Sequence, residues 1–226
     1  NSRGRDYPNL LDWVKRLLDL GVQGITVHPR PDERHVTRAD TRSLGAYLSD
    51  IPNVEFNIEG YPSPEFMALV LEVGPQQCTL VPDLPGQLTS DHGWDIPASP
   101  QLTEILSRLK QAGIRSSLFL DPSPQMAAAV ADTGADRIEL YTEDYASAFG
   151  SERQENVFRA FAETAATARE LGLGLNAGHD LNLDNLPRFL EIPGILEVSI
   201  GHALVVESMQ WGIEDVIRRY LAITGK

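Results

Sequence analysis

Ile25-Thr26-Val27-His28, a loop through Arg34-His35, a helical stretch over 38–49 and then Val54-Glu55-Phe56-Asn57-Ile58-Glu59 read as one strand-helix-strand unit, and that unit decides the fold. Both strands stop on a polar or ionisable residue. The same happens in Cys78-Thr79-Leu80-Val81-Pro82-Asp83, Ser117-Leu118-Phe119-Leu120-Asp121, Ile138-Glu139-Leu140-Tyr141, Leu173-Gly174-Leu175-Asn176 and Val198-Ser199-Ile200-Gly201-His202. A strand buried on both faces reads as a near-continuous apolar run, so a polar residue at its C-terminal end marks where the chain leaves the core. Strand-helix alternation implies a parallel sheet with helices packed outside it. If the sheet closes, all seven polar ends meet at one rim, where (β/α)₈ barrels keep their chemistry.

The rest of the chain fits that scheme. Leu10, Leu11, Val14, Leu17, Leu18 and Leu20 recur at helical spacing between Pro8 and Gly21, a start and a stop signal. Further helices are predicted at roughly 38–49, 63–73, 99–112, 123–133, 153–171, 182–190 and 204–222. The longest loops fall at 82–98 and 141–152, and long loops in compact domains are usually lids, binding segments or disorder. A closed (β/α)₈ barrel needs eight strands and seven are read, so one is missing. Because the chain begins at Asn1 rather than Met, the expectation is an upstream first strand in the natural protein. The competing reading is an open doubly wound sheet.

Nothing resembling a linker divides the 226 residues, so a single domain over 1–226 is expected. The 42% hydrophobic content is that of an ordinary globular protein. No run is long enough to cross a bilayer, and the opening residues do not read as a basic-then-apolar leader. Cys78 is the only cysteine, so a disulfide within the chain and a thiolate metal cluster are both excluded, and a reducing cytoplasm fits. A formal charge of −13 argues against a nucleic-acid partner. An anionic small molecule remains possible where backbone N–H groups and a few arginines make a locally positive pocket.

The densest chemical cluster is His28-Pro29-Arg30-Pro31-Asp32-Glu33-Arg34-His35. Imidazoles offer proton transfer near neutral pH and guanidiniums offer forked donors for phosphate. A lone histidine is more often structural, but this cluster follows a strand end directly. His28 terminates that strand, whereas Arg30 and His35 must be turned inward by the loop. Glu59 shares a strand face with Asn57, which places its carboxylate at the mouth of a barrel if that face is the interior. Asn176-Ala177-Gly178-His179-Asp180 and Gly201-His202-Ala203 end the last two strands, where barrels often hold phosphate. Thr89, in Thr89-Ser90-Asp91-His92-Gly93, suits a flap over a phosphate, while His92 reads better as part of a plain turn. Glu139 is either a second buried carboxylate or a core ion-pair partner. No zinc-binding, Gly-rich nucleotide-binding or nucleophile-elbow motif is present. Acid-base chemistry on a phosphorylated small molecule is what remains.

Taken together, Asn1-Ser2-Arg3-Gly4, Gly24-Ile25-Thr26-Val27-His28 through Arg34-His35, Phe56-Asn57-Ile58-Glu59, Thr79-Leu80-Val81-Pro82, Leu118-Phe119, Asn176-Ala177-Gly178-His179 and Ile200-Gly201-His202-Ala203 resemble the pyridoxine 5′-phosphate synthase family. The resemblance implies a TIM barrel that condenses 1-deoxy-D-xylulose 5-phosphate with 3-amino-2-oxopropyl phosphate, releasing inorganic phosphate and water, with no redox or metal cofactor. It implies His28 and Glu59 as proton acceptors and His179 as proton donor. Arg30, His35 and Thr89 would hold the deoxyxylulose phosphate. Arg3, Asp180, Gly201 and His202 would hold the aminooxopropyl phosphate. A homo-oligomer, often an octamer, is also implied; by their apolar character Trp211 and Phe149 read either as contacts in such an assembly or as core residues. Two departures stand out: Asp180 replaces a glycine found in many members, and Tyr141-Thr142-Glu143 replaces a His-Thr-Gly. A sugar-phosphate epimerase or isomerase barrel and a non-catalytic phosphate-ligand carrier are the alternatives.

Overall fold

A computed structural model describes residues 8–83, 86–87 and 89–225. Its elements run α1 (Leu10–Asp19), β1 (Gly24–Val27), α2 (Arg38–Leu48), β2 (Glu55–Gly60), α3 (Pro64–Val73), β3 (Gln77–Leu80), α4 (Leu102–Gln111), β4 (Arg115–Leu120), α5 (Pro124–Ala131), β5 (Arg137–Tyr141), α6 (Glu143–Ala148), α7 (Gln154–Glu170), β6 (Gly174–Gly178), α8 (Leu186–Phe189), β7 (Ile195–Ser199), α9 (His202–Trp211) and α10 (Ile213–Thr224). All seven strands are parallel and pair in chain order, β1 to β7. A doubly wound sheet would reverse its order at a switch point, and none occurs here.

Cross-sheet contacts show how far the sheet curls. Asn176 on β6 donates its amide to Gln77 Oε1 on β3 at 3.2 Å, and Gln77 reaches Glu197 of β7. Arg115 of β4 pairs with both Glu55 at the start of β2 and Glu197, and Arg137 of β5 meets Glu197 at 2.6 Å. Strands far apart in a flat sheet could not share these partners. The sheet is therefore a nearly closed barrel whose N-terminal end is floored by charged and amide side chains. Its seam lies between β1 and β7, the place of the expected further strand. Leu196 on β7 is 57% exposed there.

Period-two alternation sorts the strand residues by face. Asn57, Thr79, Ser117, Glu139 and Asn176 turn into the barrel, while Phe56, Ile58, Leu80, Leu118, Ile138, Leu140 and Leu175 pack beneath the helices, each at most 2% exposed. Local signals set the helix starts: Thr37 and Asp40 form a reciprocal capping box on α2, and Ser63-Pro64 and Ser123-Pro124 open α3 and α5.

Three helix expectations are corrected. The segment 204–222 is two helices, because Gly212 takes φ 79 and ψ 146, a combination that ends α9 and that few other residues adopt. The loop at 141–152 contains the short helix α6, anchored by the fully buried Tyr145. The stretch 182–190 is mostly turn, since Asn182 Oδ1 accepts from the N–H groups of Asp184 and Asn185 and only one helical turn follows. No described helix is long and apolar enough to cross a membrane.

Candidate active site

His28 follows β1 and Glu59 lies on β2, one strand over. Their side chains meet with Nδ1 3.2 Å from Oε1. Glu59 is 7% exposed, and burial by itself would raise its pKa. The His28 hydrogen bond and the charges of His28, His179 and Arg30 outweigh burial and hold the carboxyl below the usual range. An ionised carboxylate only accepts, so Nδ1 of His28 carries the shared hydrogen and Nε2 is left for a ligand. The same balance of charges places His179 and Arg30 within electrostatic reach of Glu59. Three strand ends and one loop thus converge on one mouth.

Glu139, deeper on β5, is 1% exposed and has no cationic partner among the described residues. Burial first, then the charge of Glu59, pushes its pKa up to about 8, against a single bond from Thr79 Oγ1 at 3.3 Å. The question left open by the sequence is answered in favour of a second buried carboxylate. Two carboxyls in one barrel, one pushed down and one pushed up, supply a base and an acid at neutral pH. A polar chain runs beneath them: Thr79 Oγ1 also lies 3.2 Å from Asn57 Oδ1, and Asn57 Nδ2 donates to Thr26 Oγ1 at 3.3 Å.

His179 sits just past β6 at φ 80, followed by Asp180 at φ 59, so two consecutive non-glycine residues occupy left-handed backbone. Such strain, on the order of 1–3 kcal/mol per residue, persists only where surrounding structure enforces it. Enforcement is visible: Thr142 Oγ1 donates to the carbonyls of Gly178 and His179, and Asn185 Nδ2 donates to the Asp180 carbonyl at 3.0 Å. The result aims the His179 ring edge-on between Phe119 and Tyr141, at centroid distances of 4.9 and 5.2 Å. The Tyr141 hydroxyl is pushed up to about 12, mainly by desolvation and then by surrounding carboxylates including Asp180.

Around the rim, Arg30 is folded inward and 5% exposed, held by Asp83. His35 is exposed, with its pKa lowered by partial desolvation and by Arg30, Arg34 and His28, which keeps it neutral within a cationic cluster. Thr89 and Asp180 are exposed. Gly201 and His202 are exposed at the start of α9, whose first N–H groups have no side-chain cap. Arg3 lies outside the described residues. His28, Arg30, Arg34, Tyr61, Asp83 and Gln87 are among the residues that line a cavity of about 220 Å³ at this rim.

The sequence places Asp83 and Tyr141 at strand ends but assigns no role in the site to Asp83, Thr79 or the Phe119–Tyr141 pair. Strand parity was the available signal: Thr79 pairs with Glu59, and Phe119 with Glu139, across the ladder.

Comparison with known proteins bears on this arrangement. The sequence pattern of the family described as "Pyridoxal phosphate biosynthesis protein PdxJ" matches residues 1–226. A pyridoxine 5′-phosphate synthase of Christiangramia forsetii is 50% identical over 225 residues, covering 99% of this chain and 93% of its own length. One from Bacteroides thetaiotaomicron is 52% identical over 222 residues, covering 97% and 92%. Among solved structures, phosphoribosyl anthranilate isomerase from Thermus thermophilus superposes with a TM-score of 0.61 at 16% identity, covering 95% of this chain and 94% of that one, a likeness of fold alone.

Proposed function

Because the chain belongs to the pyridoxal phosphate biosynthesis protein PdxJ family, we propose that the cluster of His28, Glu59, His179 and Arg30 is the site of its reaction. That reaction is the pyridoxine 5′-phosphate synthase condensation of 1-deoxy-D-xylulose 5-phosphate with 3-amino-2-oxopropyl phosphate. Atom balance requires one phosphate and two waters to leave as the ring forms, with no net redox change. The amine adds to the ketone and loses water to give an imine. Proton removal and return then drive phosphate elimination, ring closure and aromatisation.

The observation that carries the assignment is the contact of the buried Glu59 carboxylate with His28 Nδ1 at 3.2 Å at adjoining strand ends, and the pull of His28, His179 and Arg30 on its pKa against burial supports it. Glu59 and the free Nε2 of His28 act as proton acceptors. His179, presented on strained backbone between two aromatic rings, returns a proton to a leaving oxygen. Glu139, neutral at pH 7, donates a hydrogen bond where negative charge develops. Arg30, His35 and Thr89 bind the deoxyxylulose phosphate. Arg3, Asp180 and the N–H groups at Gly201 and His202 bind the other phosphate, Asp180 through its backbone.

The chain acts as one domain and as a homo-oligomer, an octamer by family resemblance. Val205, Met209 and Trp211 on α9 are 61%, 76% and 46% exposed and support that assembly, whereas Phe149 is half-buried against the core. A charge of −13 supports a partner set without nucleic acid, and the buried thiol of Cys78 supports a cytoplasmic setting. The decisive assay mixes both substrates and follows pyridoxine phosphate by absorbance. Turnover of the ketose phosphate alone would point instead to an isomerase.

A further inference from the structure

Arg30 and Asp83 form an ion pair that is one bond short. Arg30 Nη2 donates to Asp83 Oδ2 at 2.9 Å, both residues are 4–5% exposed, and yet Arg30 Nε and Asp83 Oδ1 are buried without a partner. A structural arginine–carboxylate pair closes as a two-point fork, which here would satisfy both stranded atoms. Instead the guanidinium is rotated to spend Nη1 on the carbonyl of Gln87 at 3.1 Å, a carbonyl that Arg34 Nη2 also grips at 2.7 Å. Asp83 Oδ2 takes a second bond from the buried Ser90 hydroxyl at 2.8 Å.

The consequence is geometric. Asp83 at the end of the β3 strand run, Gln87 and Ser90 in the following loop, and Arg30 in the loop after β1 are tied into one unit, with Thr89 between two of the tied residues. An arginine so deeply buried needs a counter-charge to stay charged at tolerable cost. Asp83 supplies it through one oxygen and leaves the Nε–H of Arg30 unspent.

We propose that Asp83 is a positioning residue for the deoxyxylulose phosphate: by binding Arg30 through a single oxygen it fixes the guanidinium beside Thr89 with a donor still free for a phosphate oxygen. This rests on the reading of Arg30 as a ligand of that phosphate. Asp83 itself touches no substrate and acts through Arg30.

Steady-state kinetics with each substrate varied in turn tests it. Asp83→Asn is expected to raise KM for 1-deoxy-D-xylulose 5-phosphate about tenfold, the scale of one lost charge-assisted bond, and to move KM for the aminooxopropyl phosphate by less than about twofold. Ser90→Ala, which keeps the ion pair, is expected to raise the same KM by about threefold, and it carries the test if Asp83→Asn does not fold. General loosening of the fold would shift both constants together or lower only the active fraction. Equal shifts, no shift, or a fall in KM for the deoxyxylulose phosphate overturn the proposal. Arg30→Ala separates the two levels: if it leaves that KM unchanged, the ligand reading of Arg30 fails. If it raises KM while Asp83→Asn and Ser90→Ala do not, only the positioning role fails.

Discussion

Glu59 Oε1 and His28 Nδ1 lie 3.2 Å apart across adjacent strands, and this contact sets which nitrogen of His28 can accept a proton from substrate. Removing the charge but not the shape is therefore the sharpest test of the site. Glu59→Gln is expected to lower kcat by about 10² to 10⁴ while leaving either phosphate's binding within a few-fold. Titration calorimetry with inorganic phosphate and single-turnover rates measure the two halves separately. An unaltered kcat would remove Glu59 from the proton transfers.

Glu139 gives a pH signature of the opposite sign. Its folded pKa of about 8 lies above its unfolded value, so its contribution to stability is complete below the unfolded pKa and is lost as pH rises through 8. The slope approaches about 1.4 kcal/mol per pH unit within that window. Glu139→Gln should flatten the decline in Tm between about pH 5 and pH 8, the interval in which the unfolded chain has released the proton and the folded one still holds it. It should also remove a fall in kcat above pH 8, if the neutral acid is the working form. Parallel Tm curves for the two proteins would place Glu139 in its ionised state throughout.

Gly178 lies against Glu139. A methyl group there would stand 2.6 Å from Glu139 Oε1 and 3.3 Å from Ser199 Cβ. Gly178→Ala is expected to push the carboxyl out of place, costing about 1–3 kcal/mol of stability and at least about tenfold in kcat. Denaturant melts and rates at saturating substrate report each effect. Wild-type values for both would mean the barrel interior yields more freely than its packing implies.

Asp180 is exposed at φ 59, and its carbonyl is already engaged by Asn185. Asp180→Gly should relieve the backbone and remove a negative charge from the neighbourhood of the second phosphate. KM for the aminooxopropyl phosphate is expected to fall by about threefold to tenfold, with a Tm change of only a few degrees. An unchanged KM would show that the carboxylate points away from that ligand.

The strand ends were legible because burial on both faces writes itself as short apolar runs, and His28 and Glu59 stood out as the residues that stop them. Parity along Phe56-Asn57-Ile58-Glu59 placed the carboxylate indoors without coordinates. Other features depend on what neighbouring strands bring. Nothing local distinguishes Glu139 with no cation beside it from Glu197 with two, and only the ladder register and the barrel's curl assign Arg115 and Arg137 to the latter. The helix break at Gly212 was hidden for another reason: apolar spacing continues through it, and a single glycine within such spacing does not announce a stop. The latch on Arg30 was invisible because Asp83 and Arg30 are joined by a loop geometry, not by a periodicity.

The charged floor of the barrel also bears on how the chain reaches this state. Gln77 and Glu197 are 120 residues apart in sequence, and Asn176 and Gln77 are 99 apart. Closing loops of that length costs entropy before any contact returns it, so native pairings of this kind slow folding more than they add to final stability. Among the contacts of the floor, the one between the seventh strand and the third closes the longest loop, so the end of the barrel opposite the His28–Glu59 rim carries the largest closure cost.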